Sequence, residues 1–250
     1  MSFRSPPADL CERFDVWLNC EPGEALLREE RDMLCDWLPR QVGQRAVEIS
    51  CGQGRELLEG CPLPWRTTIT QPQFAGGKLH SRLDCLPLAK ASVDVMLLHH
   101  CLEFRGQPHQ VLREAARCVA PGGTLAIVGF HPLSAMGLSR WLHWRQRPAW
   151  SGRFFTPDRI TDWLQVLGFE VDGMASGFYT MPLSAPARRR LRVLEWLGGT
   201  FWPRHGGCYL LVSRKRAGLV RPLASSQRSQ RPATVIPVPV ARWRNDPKGQ

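Results

Sequence analysis

The chain has 250 residues, 43% of them apolar, enough to bury the core of one α/β domain, and its 33 basic and 22 acidic side chains leave a net charge of +11. It contains no long apolar run, and the opening "MSFRSPPADLCERF" lacks an apolar centre, so nothing marks it for a membrane span or for export and a cytoplasmic setting is expected. Nine cysteines, an odd number with no CxxC pair, argue against a disulfide framework or a zinc knuckle and read as small buried apolar residues.

In chain order, the first periodic segment is "PGEALLREERDMLCDWLPR" (22–40). It sets Leu26, Leu27, Met33, Leu34, Trp37 and Leu38 on one helical face opposite its charges, as a helix covering a sheet would. "RAVEISCGQGRELLEG" (45–60) then alternates apolar and polar residues, enters a turn of small residues and continues into a short helix-like segment. Three β-prone stretches follow at 66–71, 92–100 and 122–130. Between the last two, "QPHQVLREAARCVAPGG" carries Pro108 near its start, an apolar stripe of Val111, Leu112, Ala115 and Val119, and a "PGG" stop, and so predicts a crossover helix. In "FTPDRITDWLQVLGFEV" (155–171), Thr156 is the expected N-cap, Pro157 opens the first turn, and Ile160, Trp163, Leu164 and Leu167 form a buried stripe ending at Gly168 before another strand. "GGCYLLVSRKR" (206–216) reads as the closing strand. Strand, helix and strand alternate, which predicts a doubly wound α/β domain with a mostly parallel sheet.

In such a sheet a ligand sits outside the carboxyl ends of the strands, where the first strand-to-helix turn offers backbone N–H groups. "SCGQG" is that turn. A dinucleotide fingerprint would require GxGxxG, yet Gly52 and Gly54 are followed by Leu57, which leaves a cofactor without phosphates as the better fit.

Three ordered motifs then carry a resemblance. "VEISCGQG", "LDCLPLAKASVDVMLLHHCLEF" and "VLREAARCVAPGGTLAIVGF" together resemble the class I S-adenosylmethionine-dependent methyltransferases, over about residues 40 to 217, and "GFHPLSAMGLSRW" is similar to a small bacterial branch of them. The resemblance implies a seven-stranded sheet with one antiparallel edge strand, S-adenosylmethionine as cofactor, and methyl transfer to a small-molecule or macromolecular acceptor. By position, Glu48 matches the acid at the end of strand one, and Ser50, Gly52 and Gly54 match the glycine positions of the loop, with Cys51 among them. Asp84 and Cys85 match the pair that meets adenine, and His99, His100 and Leu102 match the end of strand four beside the methionine part.

Two departures carry consequences. Ser50 replaces the first glycine, and the acid expected near Thr70 or Gln71 is missing; Gln71 offers a neutral acceptor to a ribose hydroxyl, which predicts a weaker grip. That loss keeps a second reading open: a non-catalytic binding or scaffold protein on the same fold. His131, following strand five, is the candidate general base, because histidine titrates near neutral pH. "HHCLEF" (99–104) suggests metal ligation, but consecutive residues leaving a strand point to opposite sides, so no metal is expected.

The resulting division has an N-terminal helical cover at 1–40 and a methyltransferase-like domain at 41–217 with Arg/Trp-rich insertions at 134–155 and 182–205. A basic, Pro-rich tail at 218–250 has six basic side chains against one acid and is expected to be disordered. The insertions are expected to cover the pocket and touch substrate, and the tail offers nucleic acid a counterion-releasing surface.

Overall fold

The computed structural model describes residues 9–104, 106–134, 137, 152–179 and 206–217. Most of the insertions (134–155, 182–205) and the whole tail (218–250) therefore lie outside the described residues, as do the roles expected of them. Among the described residues no helix is long and apolar enough to cross a membrane.

The elements are helices α1 (Leu10–Leu18) and α2 (Glu21–Trp37), strands β1 (Arg45–Ser50), β2 (Trp65–Thr70), β3 (Leu79–His80) and β4 (Val93–His99), helix α3 (Pro108–Cys118), strand β5 (Val119–Phe130), helix α4 (Pro157–Val166), and strands β6 (Phe169–Gly177) and β7 (Cys208–Lys215). The strands form one sheet in the order β3-β2-β1-β4-β5-β7-β6. All run parallel except β7, which lies antiparallel between β5 and β6. The expected doubly wound, mostly parallel seven-stranded sheet is thus present. Its antiparallel member sits one place in from the edge strand β6.

Local chemistry accounts for the ends of the elements. The Thr156 hydroxyl accepts from the Arg159 N–H at 3.4 Å with Pro157 in the first turn of α4, and Pro108 opens α3. The helix stops at Cys118, ahead of the expected "PGG" stop: Val119, expected in its stripe, opens β5, and "PGG" lies in a bulge of that strand. Val119 pairs with Val93 and Thr124 with Val95, and Gly122 takes φ +79°. The helix-like segment after β1 does not become a helix. Glu56 takes a left-handed φ of +53°, and prolines at 62 and 64 follow, so only single turns form over residues 56–61.

Helices cover both faces. Val111, Leu112 and Ala115 of α3 and Ile160 and Leu164 of α4 pack on Val47, Met96, Leu98, Ile127 and Leu211. On the opposite face, Leu34 and Leu38 pack with Leu57 and Leu63 onto Ala46, Val95, Ala126 and Leu210. The predicted stripe of α2 is the buried one. A third cluster has no counterpart in the sequence reading: Leu10, Phe14, Trp17 and Leu18 of α1 meet Cys51, Phe104, Phe130 and Cys208 at the carboxyl ends of the strands. This helix closes the end of the sheet where strand order reverses between β1 and β4, the usual place for a ligand.

Candidate functional site

The turn after β1 is held from below and from above. Below, the fully buried Glu48 carboxylate accepts from the N–H groups of Arg55 at 3.0 Å and Leu57 at 2.7 Å. Burial pushes its pKa up, against the pull of those bonds. Glu48 is thus a support for the turn, taking N–H groups that a following helix would otherwise leave unpaired. Replacing it with Gln turns an NH2 group toward a second donor, so Glu48→Gln should cost about 1–3 kcal/mol and lower the melting temperature by several degrees. An unchanged melting curve would show that the carboxylate does not hold the turn.

Above, the Asp15 carboxylate of α1 accepts from the Gln53 N–H at 3.0 Å and pairs with the Arg55 guanidinium, which also donates to Asn19 Oδ1 at 2.8 Å. A Cβ on Gly52 would lie 2.4 Å from Asp15 Oδ1, and one on Gly54 would lie 2.7 Å from the Gly76 carbonyl. Both positions therefore accept only hydrogen, as a close backbone approach demands. The turn thus offers small backbone groups of the kind a cofactor cradle uses, closely covered by Asp15 of α1 at Gly52 and by the Gly76 backbone at Gly54.

The structure brings several expected residues to this turn. Gln71 donates from Nε2 to the Cys51 carbonyl at 2.8 Å, and its Oε1 accepts from Gln73 at 3.2 Å, so the ribose candidate also braces the loop. The Cys51 N–H donates to the His99 carbonyl at 3.1 Å, binding the turn to the end of β4, and Ser50 Oγ lies 3.4 Å from His99 Nδ1. Leu102 is buried in the core on the α3 side of the sheet. Asp84 is held by Arg82 at 2.7 Å in a partly exposed ion pair on the loop before β4, with Cys85 exposed beside it. His131 is buried; its Nδ1 accepts from the Leu133 N–H at 3.1 Å, which in the neutral ring places the proton on Nε2, the form of a donor rather than a base.

The expectation that His99 and His100 diverge is overturned. His100 takes φ +52°, leaving the strand geometry that would alternate their directions, and both rings turn to one side chain. Glu30 of α2 receives His99 Nε2 at 3.0 Å and His100 Nε2 at 2.8 Å, all three side chains being at most 1% exposed. On its other nitrogen, His100 faces Glu103 Oε1 at 3.3 Å, and that oxygen also accepts from the Phe130 N–H at 2.9 Å. Burial alone would lower the pKa of His100, but the charges of Glu30 and Glu103 outweigh it and raise it to about 9. Burial would likewise raise that of Glu30, and the facing His100 and His99 hold it down at about 2. The pair is therefore an imidazolium and a carboxylate in a dry environment, capped by Phe14 at 5.1 Å and Phe130 at 4.2 Å between ring centres.

Sequence reading missed Asp15, Glu30 and Arg55. A signal existed only for Glu30: it stands between Leu26 and Leu34 at helical spacing, a carboxylate inside the apolar stripe of α2.

Residues 24–173 match the family described as "Methyltransferase domain". The chain is 31% identical over 207 residues to the uncharacterized protein YafS of Escherichia coli K12, covering 81% of each. An S-adenosylmethionine-dependent methyltransferase from Thermotoga maritima superposes with a TM-score of 0.60 at 18% identity, covering 83% of this chain and all of that one. The [4+2]-cyclase SpnF superposes at 0.53 and 18% identity over 78% of this chain and 83% of its own. The cyclase shows that this fold alone does not dictate methyl transfer. The family match covers 24–173, most of the central sheet, and this chain belongs to the class I S-adenosylmethionine-dependent methyltransferase family.

Proposed function

We propose that the chain binds S-adenosylmethionine across the turn 50–54 and aligns an acceptor over the carboxyl ends of β4 and β5. The observation that carries this reading is the turn itself. Gly52 and Gly54 admit no side chain, at the point where β1 and β4 meet beneath α1.

The bound cofactor supplies a sulfonium-activated methyl group. This chain's own residues supply position and dryness. Ser50, Cys51, Gly52 and Gly54 present small groups and backbone to the cofactor, and Gln71 stands at the ribose position. Asp84 and Cys85 stand at the adenine position, where Asp84 would have to exchange its Arg82 partner for the cofactor. His99 and His100 close the methionine side, and the ring wall of Phe14, Phe104 and Phe130 excludes water from it. His131 orients the acceptor as an Nε2–H donor, and alignment carries most of the rate because the methyl group is already activated. The Arg/Trp-rich insertions would contact the acceptor, and the basic tail would meet an anionic macromolecule such as nucleic acid.

Thermal melts of the full chain with S-adenosylhomocysteine test the cradle. At a hundredfold excess over the dissociation constant, ligand linkage adds about 2.7 kcal/mol, which for a domain of this size raises the melting temperature by roughly 5–10 °C. Because the strand-two acid is absent, millimolar ligand is expected to be needed for saturation. No shift at millimolar concentration would remove the methyl-transfer reading and leave the scaffold reading standing.

A further inference from the structure

We propose that Glu30, His99 and His100 form a binding site for one divalent first-row transition-metal ion, with the two Nε2 atoms and the Glu30 carboxylate as ligands. This inference does not depend on the methyl-transfer reading. The three ligand atoms lie within 4.8 Å of one another, and each imidazole nitrogen is 2.8–3.0 Å from a Glu30 oxygen. Ligands about 2.0–2.1 Å from a tetrahedral zinc ion stand about 3.3 Å apart, so the carboxylate retreats by a few tenths of an ångström and the two imidazole nitrogens, within 4.8 Å, adjust toward that spacing to admit an ion. Two imidazoles and one carboxylate suit Zn2+ or Fe2+ and leave further coordination positions open.

The surroundings support the same conclusion from different observations. In metal sites the second nitrogen of each ligating imidazole is held by an outer partner. Here His99 Nδ1 lies 3.4 Å from Ser50 Oγ and His100 Nδ1 lies 3.3 Å from Glu103 Oε1. Charge is also unbalanced: two buried carboxylates, Glu30 and Glu103, converge on the pair, and Glu103 Oε2 is buried with no hydrogen-bond partner. A dication bound to the two neutral imidazoles would take the place of the imidazolium proton, which is released to solvent, and would offset both carboxylates in the dry interior. Finally, the left-handed backbone of His100 is a conformation a non-glycine residue adopts at a cost, and it is what makes the two rings converge.

The test uses the full chain, freed of metal with a chelator and titrated with Zn2+ against a chromophoric competitor and with Co2+ in the spectrophotometer. One equivalent is expected to bind, with a Co2+ spectrum of nitrogen and oxygen ligands and no thiolate charge-transfer band. The exposed cysteines 20, 35 and 85 are the competing ligands, so the triple variant Cys20→Ser/Cys35→Ser/Cys85→Ser should retain binding. His99→Gln should weaken it at least a hundredfold; should that variant fail to fold, Ser50→Ala, which removes only an outer partner, should weaken it about tenfold. Absence of stoichiometric binding, a thiolate band, loss of binding in the cysteine variant, or full affinity in the histidine or serine variant would each overturn the proposal.

Discussion

Glu30→Ala should lower the melting temperature of the metal-free chain by about 10 °C or prevent folding altogether. The carboxylate is fully buried and receives both His99 and His100, so its removal leaves an imidazolium in a dry environment with Glu103 as its remaining charged partner. Breaking one side of a buried pair costs about 3–5 kcal/mol, because the stranded charge loses its partner without regaining water. For a domain of this length each kcal/mol is worth about 2–4 °C. Glu30→Gln keeps shape and one acceptor and should fall between the parent and the alanine variant. Parallel thermal melts decide the matter. A loss under about 2 °C in Glu30→Ala would mean that His100 is neutral and that the network is not the electrostatic core described above.

Gly52→Val should abolish cofactor binding, weakening it at least a hundredfold, and should also loosen α1. Gly52 lacks a left-handed φ, so the argument is steric and not one of backbone strain. Its Cβ would lie 2.4 Å from Asp15 Oδ1 and 2.9 Å from Asp15 Cβ, and the two methyl groups of valine project farther still. Side chain and helix have to move together, at an overpacking cost of about 1–3 kcal/mol. The expected result is a chain that still folds, melts several degrees lower, and shows no thermal shift with S-adenosylhomocysteine. A variant that binds the ligand as well as the parent would remove the turn from the cofactor site. If the combination with Asp15→Ala recovers stability but not binding, the two costs are separate.

The regular elements were legible in the sequence because their signals are local. Alternation marked β1 and β-prone composition β4, the stripes of α2, α3 and α4 named the faces that pack, and Thr156, Pro157 and Pro108 marked helix starts. The glycines of the turn were legible for the same reason, since a close backbone approach requires small residues in consecutive positions. Reading failed at the segment after β1, whose Leu57 and Leu58 suggested a helix. Glu48 instead binds the N–H groups of Arg55 and Leu57, and Glu56 takes a left-handed turn between them.

By itself the sequence determined an α/β chain with a small-residue turn after its first strand, because periodicity and turn chemistry act over a few neighbouring residues. Only the tertiary structure decided what that turn and the end of β4 face. Asp15 reaches Gln53 across 38 residues, and Glu30 reaches the histidine pair across 69 and 70. Neighbouring residues do not name the partner at such separations; the stripe of α2 shows only that Glu30 faces inward. These contacts arise because the apolar face of α1 must be buried on the strand ends and that of α2 on the sheet, which carries each helix's one inward-facing carboxylate into a dry site where only a paired charge is stable. The convergence of His99 and His100 rests on one backbone angle, and that angle is set by the packing around it, not by the identity of the residue.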